Sequence, residues 1–151
     1  MNLATLRTQA PADLEHLYAH EDPFDVPEGL FRGVYLGRIG ALRERTAEVR
    51  LAEIVGFRWT PFWVDFARRC WAFFTPRLGA GRFSPHIDDS RWRPTRTVVL
   101  DYGASRLPGP VRRILYDEVK PLSGDLCLGM GGVNRGPGNG DLFFFALVRV
   151  C

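Results

Sequence analysis

GDLFFFALVRV, residues 140–150, is the stretch whose reading decides the architecture. Successive side chains of a strand point to opposite faces. Leu142, Phe144, Ala146, Val148 and Val150 therefore look one way, and Phe143, Phe145 and Leu147 the other. A sheet with one wet face alternates apolar with polar residues; this run does not, so it must be covered on both sides. A barrel wall with a helix laid against its outside meets that demand.

Upstream lie three further segments with strand character, TRTVVLDYG (95–103), VRRILYDEVK (111–120) and DLCLGMGGV (125–133). They are separated by ASRLPGP, PLSG and NRGPGNG, each of which is turn chemistry. The expectation is an antiparallel meander in chain order, with Gly138, Asn139 and Gly140 supplying positive backbone angles in the last hairpin. GLFRGVYLGRIG (29–40) reads as a first strand, curved by its glycines. Residues 41–57 are read as a helix on Leu42, Val49, Ala52 and Val55, although the Val/Leu/Ile content after Thr46 also permits a strand.

TPFWVDFARRCWAFFTP (60–76) is read as a helix, with Thr60 as N-cap, Pro61 in the first turn and Pro76 closing it. Its polar residues Asp65, Arg68 and Arg69 share one stripe and aromatic side chains fill the rest, the pattern of a helix sunk into a core, of a lid, or of a membrane-surface helix. The glycine-, proline- and arginine-rich stretch after it reads as a loop. PADLEHLYAHED (11–22) is a short amphipathic helix within an acidic segment, residues 1–28, which holds six acids and no Lys or Arg between Asp13 and Glu28. Residues 29–151 then form a single barrel-like domain, and a chain of 151 residues buries about two-thirds of its unfolded surface.

Several classes of function find no support. The net charge of +3 is scattered, Lys120 is the only lysine, and no basic run forms a phosphate track, so no nucleic-acid partner is expected. Cys70, Cys127 and Cys151 are odd in number and form no CxxC pair, which fits a reducing cytoplasm. No apolar run is long enough for a membrane span, so no stable membrane insertion is expected. GMGGVNRGPGNG lies between two strands and reads as a hairpin rather than a nucleotide loop. SPHIDD supplies His86, Asp88 and Asp89 but no converging third and fourth element, and neither metal nor cofactor is expected. The serines lack a nucleophile elbow.

What remains is a set of carboxylates and tyrosines embedded in strands. Asp101 shares a face with Val99, and Tyr102 with Val98 and Leu100; Tyr116 and Glu118 share a face with Ile114, and Asp117 with Leu115 and Val119. Whichever faces turn inward carry a carboxylate that must be paired, hydrogen-bonded or protonated. Salt bridges to Arg96, Arg112 or Arg113 would be one outcome. The other is a polar group orienting an apolar ligand, with Trp71, Phe143 or Phe144, and Tyr35 as lining.

GLFRGVYLGRI, the G-R-F of LGAGRF, VVLDYG, LYDEVK, LCLGMGG and FFFALV together resemble a group of small bacterial proteins. Those combine a G-x-x-G first strand, a W-x-G-K-x-F turn, an L-D-Y strand, an R-D-E-L strand, a Y-L-G strand and an aromatic end. Gly29 and Gly33, Asp101 and Tyr102, Asp117 and Glu118, and Leu128 and Gly129 carry the match; Tyr116 stands in place of the arginine. The resemblance implies a mainly β (α+β) calycin-type barrel, as in lipocalins and fatty-acid-binding proteins, or a strongly curved sheet, covered here by the aromatic helix and the N-terminal helix. It also implies an apolar small molecule as partner. An enzyme on the same scaffold, a cyclase or isomerase of a polyketide-like substrate, would use Asp101, Asp117, Glu118, Tyr102 and Tyr116 as its acid–base set. A protein-interaction module built on the acidic segment is a third expectation, and a homodimer stays open.

Overall fold

The C-terminal run forms β9 (Asp141–Arg149), which pairs antiparallel with β8 (Leu126–Val133) on one side and β1 (Leu30–Arg38) on the other. These elements belong to a computed structural model that describes residues 1–23, 25–39 and 62–150. The segment 41–57, read above as a helix, lies outside the described residues. The sheet has nine strands, completed by β2 (Phe62–Asp65), β3 (Cys70–Phe73), β4 (Gly79–Arg82), β5 (Ser84–Asp89), β6 (Arg96–Asp101) and β7 (Leu115–Ser123), in the order β4-β3-β2-β1-β9-β8-β7-β6-β5. Its two edges, β4 and β5, are consecutive in the chain and separated by Phe83 alone. The sheet must therefore curl until its edges meet, and it forms a nearly closed antiparallel barrel. At the seam the Phe83 N–H donates to the Arg69 carbonyl at 3.0 Å.

The meander from β6 to β9 follows chain order, as its turn chemistry implies. Gly138 and Gly140 take positive φ of 77° and 104°; Asn139 does not. The strand expected from Val111 begins only at Leu115, because Pro110 opens a short helix, α3 (Gly109–Ile114).

The segment 62–74 is a hairpin in the barrel wall, not a helix. β2 and β3 pair Phe62 with Phe73 and Asp65 with Cys70, around a turn that the Asp65 carboxylate fastens by accepting the Arg68 N–H at 2.9 Å. The same residues satisfy a helical wheel and a two-residue period because nearly all are apolar, and the aromatic content then favours the strand. Arg69, at φ 54°, completes a turn that a helix would not contain. The stretch read as a loop after it holds β4 and β5. Both are edge strands, and β5 is largely exposed along its length, so it lacks apolar alternation and tolerates Pro85.

The outer cover is the N-terminal segment. α1 (Leu3–Thr8) and α2 (Pro11–His20) bury Leu6, Leu14 and Tyr18 against Leu128, Met130, Phe144 and Ala146 on the outside of the meander. Arg93 ties α2 to β9, donating from Nε to Glu15 at 2.6 Å and from Nη2 to Asp141 at 2.8 Å. Both faces of β9 are thereby dry. Phe143, Phe145 and Leu147 face the interior and Phe144 and Ala146 the helices. Leu142 departs from strict alternation and joins the inner cluster, because the ladder shifts register between Gly131 and Gly132 and leaves it as the extra residue.

Candidate functional site

Aromatic rings fill most of the interior, and glycines opposite them make the room. Phe62 lies over Gly33, Phe145 over Gly129 and Phe143 over Gly131; a Cβ on each glycine would sit 2.0, 2.2 and 2.5 Å from its ring. Each pair is also a cross-strand register pair, so one strand's glycine is the seat for its neighbour's ring. The space left is a cavity of about 30 Å3 bounded by Val64, Trp71, Phe73, Leu100 and the three phenylalanines, with Tyr102 and Asp117 as its polar members. That is the scale of one or two waters, far below the roughly 300–1,000 Å3 that encloses a drug-sized ligand.

The polar members form one directed chain. An indole N–H can only donate, so Trp71 Nε1 donates to the Tyr102 hydroxyl oxygen. The Tyr102 O–H in turn donates to Asp117 Oδ2 at 2.6 Å. β3, the residue that follows β6, and β7 thus each contribute one member to a relay across the barrel. Desolvation pushes the Asp117 carboxyl up to about 7, the Tyr102 hydrogen bond pulls it back, and the charge of Glu118 adds to the rise. Burial, with the charge of Asp117, raises Tyr102 well above the ordinary phenol value, so it remains a donor. At neutral pH Asp117 is poised between an acceptor and a donor, in surroundings where any hydrogen bond counts for more than in water.

Of the residues singled out from sequence, Trp71, Tyr102, Asp117 and Phe143 line this cavity together. Tyr35 stands beside it, its ring 6.2 Å from that of Phe143. The others lie elsewhere. Phe144 faces the helices outside the barrel. Tyr116 is also outside, edge-on to Trp92 at 5.0 Å and beneath the Arg91 guanidinium. Asp101 is exposed, and its carboxylate accepts the Gly103 N–H at 2.8 Å. Glu118 is fully buried but on the outer face, accepting from Tyr18 Oη at 2.9 Å, Ser90 Oγ at 2.6 Å and the Arg91 N–H at 2.7 Å. Those donors come from α2 and from the β5–β6 loop, so Glu118 clamps the cover to the wall. Lys120, next on that face, donates to the Glu21 carbonyl and to Thr95 Oγ1 at 2.7 Å. The salt bridges to Arg96, Arg112 and Arg113 considered from sequence do not form among the described residues.

Sequence reasoning missed Phe62, Val64, Phe73, Leu100 and Phe145 in the lining; the first three lie in the segment read as a helix, of which only Trp71 was named. It also missed the functional weight of Gly33, Gly129 and Gly131. The signal was present as small residues alternating with aromatics on neighbouring strands. The ring-over-glycine pairing appears only when register is known.

Comparison with solved structures finds a protein from Thermomonospora curvata, known from its crystal structure, with a TM-score of 0.54 at 16% identity. The match covers 99% of this chain and 93% of that one, and at this identity it speaks for the fold. No protein-family model and no curated protein matches the chain.

Proposed function

We propose that the barrel binds a small apolar or aromatic molecule at the Trp71–Tyr102–Asp117 relay. One observation carries the reading: a carboxyl group sits inside an otherwise aromatic interior and is oriented there by a tyrosine rather than neutralised by a cation. The resemblance to calycin-type barrels supports the same use. The relay also sets the polarity of the ligand. Trp71 and Tyr102 spend their protons within the chain, so the ionised Asp117 offers only acceptor capacity, and the complement is a compact apolar body carrying an N–H or O–H donor. Anything beyond a few atoms requires rings to move, and Trp71 is the half-buried ring of a lining whose other rings are buried.

Titration of the purified protein with fatty acids, polycyclic aromatics, haem, and small aromatic amines and phenols, followed by tryptophan emission, tests this. Saturable binding of donor-bearing aromatics that Asp117→Asn weakens at least tenfold is the expected result; no binding by any member of the panel refutes it. A second reading rests on the Asp117 carboxyl near 7, which matches the requirement of a general acid–base for proton transfer at neutral pH. An isomerase or cyclase of a polyketide-like substrate would then lose turnover in Asp117→Asn while retaining ligand affinity.

A further inference from the structure

Away from the cavity, the turn from Phe74 to Leu78, between β3 and β4, carries two of the four large apolar side chains exposed among the described residues. Phe74 is 65% and Leu78 63% exposed, whereas the other two, Met1 and Val150, lie near the ends of the chain. Phe74 also holds a φ of 65°, a conformation a bulky residue adopts at a cost. The turn is tied down by Leu78 N–H to the Thr75 carbonyl at 3.2 Å and by Arg68 Nη1 to the Pro76 carbonyl at 3.2 Å. The two apolar groups are therefore presented on an ordered knuckle.

Beside it lies a groove of about 650 Å3 walled by Arg68, Arg77, Arg82 and Arg106, all exposed, over a floor of Cys70, Gly79 and Gly81. No carboxylate lines it among the described residues. Among the described residues, Asp65, 4.0 Å from Arg68, is the one acid paired with any of the four. Residues that are scattered in sequence are thus gathered along the β3–β4 hairpin, with an apolar tip at its turn and a cationic collar along its flank, where Arg82 pairs with Cys70 and Arg68 reaches the Pro76 carbonyl.

We propose that this side of the β3–β4 hairpin docks peripherally on an anionic phospholipid surface, with Phe74 and Leu78 entering the headgroup region and the four arginines meeting the phosphates. Charge complementarity selects the occupant. A soluble polyanion would be served by the arginines alone and would leave the apolar tip wet, whereas a bilayer interface satisfies both. Each arginine near such a surface contributes about fivefold to partitioning, so the collar supplies roughly a hundredfold or more. The docking is superficial and involves no membrane span.

The test is co-sedimentation of the full chain with phosphatidylcholine vesicles containing 30% phosphatidylglycerol, against pure phosphatidylcholine vesicles, at low salt and in 0.5 M NaCl. Binding is expected only on the anionic vesicles, and most of it is lost at high salt. Arg82→Glu should weaken it at least tenfold, while Arg96→Glu, an equal charge change at the other end of the β5–β6 pair, should not. Phe74→Ser with Leu78→Ser should reduce it with circular dichroism unchanged. Equal binding to neutral vesicles, equal effects of the two charge reversals, or tight binding of inorganic pyrophosphate without any vesicle binding would each overturn the proposal, the last by assigning the groove to a soluble oxyanion.

Discussion

Asp117→Asn separates the energetic cost of the relay from its architecture. Asparagine keeps the shape and a carbonyl oxygen for the Tyr102 hydroxyl, but it cannot ionise. In the native protein the carboxyl titrates near 7, against an ordinary value of 3.8 that the unfolded chain restores. A folded value above the unfolded one means that the fold favours the protonated form. The associated stability is complete below about pH 4 and is lost progressively as pH rises to about 7. Roughly three units at 1.36 kcal/mol each put that loss on the order of 4 kcal/mol between pH 4 and pH 8. Urea unfolding followed by tryptophan emission, at unit steps from pH 4 to pH 8, measures it. The unfolding free energy of the native chain should fall with pH relative to that of Asp117→Asn, with the curves diverging across this window and running parallel above about pH 8. Curves that stay parallel from pH 4 upward would refute the buried, unneutralised carboxyl on which the functional reading depends.

Glu118→Ala strands the Tyr18, Ser90 and Arg91 donors beneath α2 and should cost roughly 3 kcal/mol or more, read as a lowered urea midpoint at pH 7. Gly129→Ala drives a methyl into the Phe145 ring and should cost roughly 1–3 kcal/mol in a thermal melt, whereas Gly136→Ala, with nothing within 4 Å of its new Cβ, should be close to neutral. Removing residues 1–22 uncovers Leu128, Met130 and Phe144, and should produce dye binding to exposed apolar surface and self-association in light scattering; dye binding and oligomeric state both unchanged from the full chain would show that α1 and α2 do not cover the wall.

The meander and the double covering of β9 were legible because their signals are local: alternation, turn residues, and a run too apolar to be half wet. The identity of the cover was legible only in part, since the N-terminal helix was expected among the covers but the aromatic segment was expected beside it and is a hairpin in the wall. Residues 62–74 are apolar at almost every position, which removes the phase information that separates a period of 3.6 from a period of 2, and Pro61 and Pro76 bracket a hairpin as readily as a helix. Leu14 and Tyr18 belong to the modest apolar stripe expected of a short helix capping the domain, and Leu6 carried no signal of its own. Their burial depends on the acceptor Glu118 and the cation-mediated tie through Arg93, which are remote in sequence. Among the candidate acid–base residues, strand parity predicts that Asp117 and Glu118 face opposite ways, but only register assigns Asp117 to the cavity with Tyr102. β4 and β5 escaped notice for the same physical reason that they are edges: a strand paired on one side carries no obligatory hydrophobic pattern.

The seam at Phe83 bears on how the molecule assembles. Strands β6 to β9 pair with near neighbours in the chain and can zip together locally, whereas β1 must find β9 across most of the sequence, as in the pairing of Tyr35 with Phe145. Such distant partnerships are formed late and slowly. Until then the ring-bearing side of β9 faces solvent in a half-built trough, and the wait for β1 is the interval in which neighbouring chains compete for the same edge.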